Sequence, residues 1–214
     1  MADIVARIAE LKLIPMVVMD KAEHANAFAD ALVNGGLPIA EITFRTPVAE
    51  GAIRAMAKRG DVVVGAGTVL TTEQADRAID AGAQFIVAPG TNPEVVEHVL
   101  MRGLPMVPGV VTPSEIELAT SLGATVLKFF PAETMGGIAT LKALAGPYPD
   151  VRFIPTGGIT PEMVPRYLQL PMVVACGGSW MAPRDLLAAG RFDEIACLVE
   201  QAAKLIAAQP DIAT

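Results

Sequence analysis

Short runs rich in Val, Ile and Leu recur along the chain. Each is closed by Gly or Pro and followed by a stretch in which Ala and Leu return at helical spacing. The apolar runs predict strands over 13–19, 38–44, 61–67, 84–89, 104–109, 125–130, 151–156 and 172–177. Helical spacing between them includes 22–36, 71–83, 93–103 and 113–124. Capping residues or early prolines mark helix starts at Thr72, Asn92-Pro93, Thr112-Pro113 and Thr160-Pro161, and several helices end in Gly. Strand–helix alternation with short connections predicts right-handed βαβ units and a parallel sheet. Eight strands at a spacing of roughly 20–28 residues match a (β/α)8 TIM barrel, with an open doubly wound sheet as the alternative. No linker, low-complexity tract or second domain interrupts the pattern, so residues 1–214 read as a single α/β domain. A leading helix over about 2–12 is expected to cover the barrel floor, and the tail after Gln209 is expected to be loose.

The polar residues that break this pattern collect at one end of the strands. The sixth predicted strand, within 125-TVLKFFPAET-134, carries Lys128 between Val126, Leu127, Phe129 and Phe130. Burying an amine is costly unless it is paired or neutral. On a barrel strand the side chains alternate between lumen and helix layer, and a lysine among packed helices is the worse choice. Lys128 is therefore expected in the lumen, near aromatic rings, as a nucleophile toward a ketone. In 38-PIAEITF-44 the alternation sends Glu41 and Thr43 one way and Ile42 and Phe44 the other. Glu41 would then be a desolvated general base, with Arg45 just beyond it. The competing reading is a purely structural Lys128–Glu41 ion pair.

Two glycine pairs follow the last two strands, in 156-TGGI-159 and 177-GGSW-180. Glycines let backbone N–H groups close on an anion, and a following helix N-terminus adds its dipole, so Gly157-Gly158 and Gly177-Gly178 together suggest a phosphate site. Taken singly, either pair could merely make a tight turn.

Composition removes whole classes of function. Of the 214 residues 52% are hydrophobic and 18% charged, a mixture that builds a packed core rather than disorder. The start reads neither as a signal peptide nor as a membrane anchor, and no run approaches the ~18 apolar residues of a span. Cys176 and Cys197 have no CxxC spacing, which suggests reduced thiols in the cytoplasm. A net charge of −7 argues against nucleic acid, and an anionic substrate would have to be held by local positive groups. His24 and His98 lie in helical segments without metal-ligand spacing, and no GxGxxG turn is present, so neither a metal nor a dinucleotide cofactor is expected. Cys176 reads as a small core residue.

The ordered set EITFR, VGAGTVL, APG, LKFFPAE, PTGGI and CGGSW, from about Ile14 to about Pro183, resembles the 2-keto-3-deoxy-6-phosphogluconate (KDPG) aldolase family, also known as bifunctional 4-hydroxy-2-oxoglutarate aldolases. The resemblance implies a cofactor-free class I aldolase of the Entner–Doudoroff route, cytoplasmic and homotrimeric. Such an enzyme acts on a small phosphorylated keto acid and has no nucleic-acid or membrane partner. It implies Lys128 as the Schiff-base residue and Glu41 as the proton shuttle. Arg45 and Thr68 would hold the pyruvyl carboxylate, Pro89 and Phe130 would wall the pyruvate pocket, and Thr156, Gly157, Gly158, Gly178 and Ser179 would form the phosphate end. Ala88 and the Val111-Thr112 pair depart from the family pattern at positions with no catalytic part. Two rival functions fit the same fold, a phosphosugar epimerase that forms no imine and a non-catalytic binding or assembly barrel that needs no reactive lysine.

Overall fold

Runs of Val and Ile bounded by Gly and Pro fold as the strands their pattern predicts. The computed structural model describes residues 2–207. Its strands are β1 (Leu13–Val17), β2 (Ile39–Thr43), β3 (Val63–Gly67), β4 (Ile86–Val87), β5 (Met106–Val107), β6 (Gly109–Val110), β7 (Val126–Phe129), β8 (Arg152–Pro155) and β9 (Cys176–Gly178). Between and around them lie α1 (Ala2–Leu11), α2 (Ala25–Asn34), α3 (Ala49–Ala57), α4 (Thr72–Asp80), α5 (Pro93–Met101), α6 (Pro113–Ser121), α7 (Gly137–Ala145), α8 (Val164–Leu168), α9 (Arg184–Ala189) and α10 (Phe192–Ala207). The pairings between these strands are parallel. All five residues of β2 are buried, as a parallel strand covered on both faces requires.

Hydrogen bonding divides the strands into a six-stranded sheet, β5-β4-β3-β2-β1-β9, and a three-stranded one, β6-β7-β8. The division falls at Pro108, which has no N–H to place in a ladder. On one side of it β5 pairs with β4, and on the other β6 pairs with β7. The Pro108 carbonyl still accepts from the Lys128 N–H at 2.8 Å. At the far edge β8 meets the segment entering β9 through isolated parallel bridges, Phe153–Val173 and Thr156–Gly177. The alternating, parallel α/β architecture is thus as expected, and the sheet is curled. The continuous eight-strand ladder is not present in that form.

Local departures have local causes. The strand expected over 84–89 contracts to Ile86–Val87, ahead of Pro89, which cannot donate. The one expected over 172–177 becomes regular only at Cys176, because the Val173 N–H closes a turn onto the Leu170 carbonyl at 2.9 Å. Asn92 and Thr112 cap α5 and α6, and Thr112 forms a full capping box with Glu115. At α4 the cap is Thr71 rather than Thr72. Thr71 has the extended backbone a cap needs, and its hydroxyl accepts from the Gln74 N–H at 3.2 Å. Thr160-Pro161 opens a turn instead of a helix, and α8 begins only at Val164. The tail after Gln209 lies outside the described residues. Arg7 of α1 joins Pro38, Val63 and Gln84 in lining a cavity of about 420 Å³ at the N-terminal ends of β2 and β3.

Candidate active site

The other end of the strands carries the buried polarity. Among the described residues the buried polar and charged side chains are Glu41, Thr43, Lys128 and Thr156, all at most 4% exposed. Glu41 is the middle residue of β2, in register with Met16 of β1 and Gly65 of β3. Lys128 lies on β7, in register with Gly109 and Ile154. β2 and β7 are not neighbours, yet Lys128 Nζ and Glu41 Oε1 are 3.4 Å apart. Both side chains must therefore point into the space the curled sheet encloses. The 420 Å³ cavity at the opposite edge contains neither of them.

The geometry of this pair is not that of a tight structural ion pair. An ammonium carries three N–H donors, and here Glu41 is its hydrogen-bond partner among the described residues. At 3.4 Å the contact is longer than the ~2.7–2.9 Å of a charge-assisted bond. The Phe130 ring, its centroid 5.1 Å from Nζ, covers another side of the amine. An amine so under-coordinated has donors and direction to spare for a substrate.

Close backbone approach fixes the carboxylate. A Cβ on Gly67 would fall 2.0 Å from Glu41 Oε1, so no side chain fits at this position of β3. Next along the chain, Thr68 is half-buried with φ +56, a left-handed conformation that a β-branched residue rarely adopts and that a surrounding structure must enforce. Thr43, which the alternation placed on the face of Glu41 without giving it a part, is fully buried and donates to the Val17 carbonyl at 2.9 Å. It ties β2 to β1 beside the carboxylate.

The remaining candidates lie at or just beyond the C-terminal ends of β2, β3, β4, β7, β8 and β9. Arg45 is exposed in the turn after β2, and its side chain has no ion-pair partner among the described residues. Pro89 and Phe130 are half-buried, and a Cβ on Gly109 would meet the Pro89 carbonyl oxygen at 2.1 Å. The two glycine pairs come together: Thr156 bridges to Gly177, and a Cβ on Gly177 would lie 2.4 Å from Thr156 Oγ1. Gly157 and Gly158 have φ +102 and +79, Gly178 is buried and Ser179 is exposed. The expected helix dipole is missing there. Only the turn at 161–163 follows Gly158, and α8 and α9 are five and six residues long. An anion at this end would depend on loop N–H groups and Ser179.

The other chemistry-bearing groups are occupied elsewhere. His24 Nδ1 lies 2.8 Å from the Leu187 carbonyl oxygen, and His98 Nε2 lies 2.9 Å from Asp76 Oδ1. Burial pushes the Cys176 thiol far above its ordinary range, which fits a core residue. No group of three or more His, Cys, Asp or Glu among the described residues could hold a metal ion.

A model of the KDPG and KHG aldolase family matches residues 4–198. The chain belongs to that family. The 2-dehydro-3-deoxy-phosphogluconate aldolase of Treponema pallidum is 49% identical over 197 residues, covering 92% of this chain and 94% of that protein. The structure of the Zymomonas mobilis KDPG aldolase with 3-phosphoglycerate superposes with a TM-score of 0.88 at 37% identity, covering 98% of both chains. The Legionella pneumophila KDPG aldolase, with pyruvate captured at low pH as a covalent carbinolamine, also gives 0.88, at 38% identity over 92% of this chain and 96% of its own.

Proposed function

We propose that the chain is a class I aldolase that splits KDPG into pyruvate and glyceraldehyde 3-phosphate, and also splits 4-hydroxy-2-oxoglutarate into pyruvate and glyoxylate. The observation that carries this reading is the buried, under-coordinated Lys128 amine 3.4 Å from Glu41. Lys128 Nζ adds to the C2 carbonyl, and loss of water gives the iminium. Glu41, through a water molecule, takes the proton of the C4 hydroxyl. The C3–C4 electron pair then moves into the iminium, the aldehyde leaves, and an enamine remains. Glu41 returns the proton to C3, and water hydrolyses the imine to release pyruvate and the free amine. Every step closes on groups of this chain and solvent, so no cofactor is invoked.

In this reading Arg45, its guanidinium free, swings onto the substrate carboxylate together with Thr68, whose left-handed backbone holds it at the end of β3. Pro89 and Phe130 wall the pyruvyl methyl. Thr156, Gly157, Gly158, Gly178 and Ser179 take the phosphate. The strands form a closed (β/α)8 barrel in one domain, a reading supported by the continuity of 104–110 across Pro108 and by the bridges between β8 and 173–177. Leu70, Met101 and Leu118, apolar and exposed, support assembly as a homotrimer. Two free thiols fit the cytoplasm.

Borohydride added with pyruvate tests the core of the proposal. The protein should gain the mass of one reduced pyruvate, on the peptide that contains Lys128. A protein left unmodified under these conditions is an epimerase or a binding barrel rather than an imine-forming aldolase.

The phosphate end is tested by Ser179→Asp. A fixed charge at exposed Ser179 facing a dianion costs about 3 kcal/mol, so kcat/KM for KDPG should fall by on the order of a hundredfold. Cleavage of 4-hydroxy-2-oxoglutarate, which has no phosphate, should change far less. Equal losses on the two substrates would remove Ser179 from the phosphate site.

A further inference from the structure

The acidic residue of the KFFPAE run has no part in the chemistry above, yet it is one of the most closely packed groups near the glycine loops. Glu133 follows β7, and its Oε1 accepts from the Tyr167 hydroxyl at 2.5 Å. Tyr167, the last residue but one of α8, is fully buried. The backbone around Glu133 is tied to the loop after β8: the Glu133 N–H donates to the Gly157 carbonyl at 3.0 Å, and the Ala132 N–H to that of Thr156 at 2.8 Å. Its side chain is pressed against two left-handed glycines. A Cβ on Gly158 would meet Glu133 Cβ at 2.9 Å, and a Cβ on Gly137 would meet Glu133 Oε1 at 2.9 Å and the Tyr167 oxygen at 3.1 Å.

We propose that the Glu133–Tyr167 hydrogen bond is a positioning clamp that holds the 156–158 loop in the shape that binds phosphate. The loop runs from β8 to α8, so Tyr167 anchors the element it leads into, while the backbone N–H groups of Glu133 and Ala132 hold its carbonyls from the β7 side. One bond between the two fixes both approaches to the loop. Burial first, and the Glu133 carboxylate second, push the Tyr167 hydroxyl well above its ordinary range. The donor therefore stays protonated wherever the enzyme would work. The same contact gives the carboxylate a partner of its own, which matters for an acid so near a loop that would receive a dianion. The clamp rests on the assignment of the phosphate to this loop. It adds that the loop's geometry is maintained by a residue pair that touches no substrate.

Tyr167→Phe removes one hydroxyl and keeps the ring. KM for KDPG should rise about tenfold, the scale of one lost hydrogen bond to a charged group, with kcat and the KM for 4-hydroxy-2-oxoglutarate nearly unchanged. Glu133→Ala should reproduce that split. Glu133→Gln retains an acceptor of the same shape and should recover most of the affinity. Thermal unfolding of each variant identifies any that have lost the fold, and Tyr167→Phe, which removes a single oxygen, keeps the comparison available if Glu133→Ala does not fold. Equal KM shifts for the two substrates, a shift in kcat instead of KM, or no shift at all would each overturn the clamp. Ser179→Asp, measured alongside, separates the two ideas. If it discriminates between the substrates while Tyr167→Phe does not, the clamp alone fails. If it does not discriminate, the phosphate assignment fails and takes the clamp with it.

Discussion

Lys128→Arg is expected to abolish aldol cleavage, with turnover falling on the order of 10⁴-fold or more, in the range that loss of a covalent nucleophile costs other enzymes. Arginine keeps a positive charge beside Glu41, but its guanidinium stays protonated at any working pH and cannot form an imine. Lys128→Met separates charge from reactivity in the opposite sense: it fills the volume and leaves Glu41, 3% exposed, without its partner. Breaking a buried pair from one side costs about 3–5 kcal/mol, against a total stability of about 5–15 kcal/mol for typical domains. The methionine variant should therefore fold with a lowered melting temperature, whereas the arginine variant retains the charge pairing at the expense of crowding a strand that is buried at every position. Both should fail to trap pyruvate with borohydride. Turnover above about one per cent of wild type in a folded variant would lie far outside a nucleophile's share of catalysis and would remove Lys128 from the mechanism.

The parts of this site that the sequence made legible are those that follow from local periodicity. Alternation of period two assigns Glu41 and Thr43 to one face of β2, and the intolerance of a packed helix layer for an amine assigns Lys128 to the interior. Periodicity says which way a side chain points but not what it meets. The 3.4 Å approach joins residues 87 apart in the chain and needed the curl of the sheet to be known. Gly67 read only as the glycine that closes the strand expected over 61–67, and the reason for it, an oxygen of Glu41 where a Cβ would be, exists only in three dimensions. The same is true of Glu133, whose partner sits on a helix that begins thirty-one residues later. The helix dipole expected behind the glycine pairs failed for a different reason: Thr160-Pro161, read as a helix start, opens a turn that delays α8 to Val164, so the early proline overstated how soon a helix follows the loop. The local pattern placed Arg45 just beyond Glu41, but its role, and those of Thr68 and Pro89, were legible only through family resemblance.

Glu41→Gln is the variant with the next largest expected effect, and the structure makes it a clean one. The amide has the shape of the carboxyl group it replaces, which matters because the backbone of Gly67 leaves no room for anything larger. Packing is kept, and only the capacity to take and return a proton is lost. Removal of a general base costs about 10²–10⁴-fold, and the loss should appear in kcat for both KDPG and 4-hydroxy-2-oxoglutarate, since both carry the C4 hydroxyl on which the base acts. Imine formation at C2 depends chiefly on Lys128, so borohydride should still trap pyruvate on the Glu41→Gln protein, in a yield far closer to wild type than its turnover is. That divergence between trapping and turnover is the diagnostic. If trapping and turnover fall together, Glu41 acts in forming the imine rather than in breaking the C3–C4 bond. If turnover hardly changes, another group or water serves as the base, and the 3.4 Å contact is the structural ion pair that the sequence also allowed.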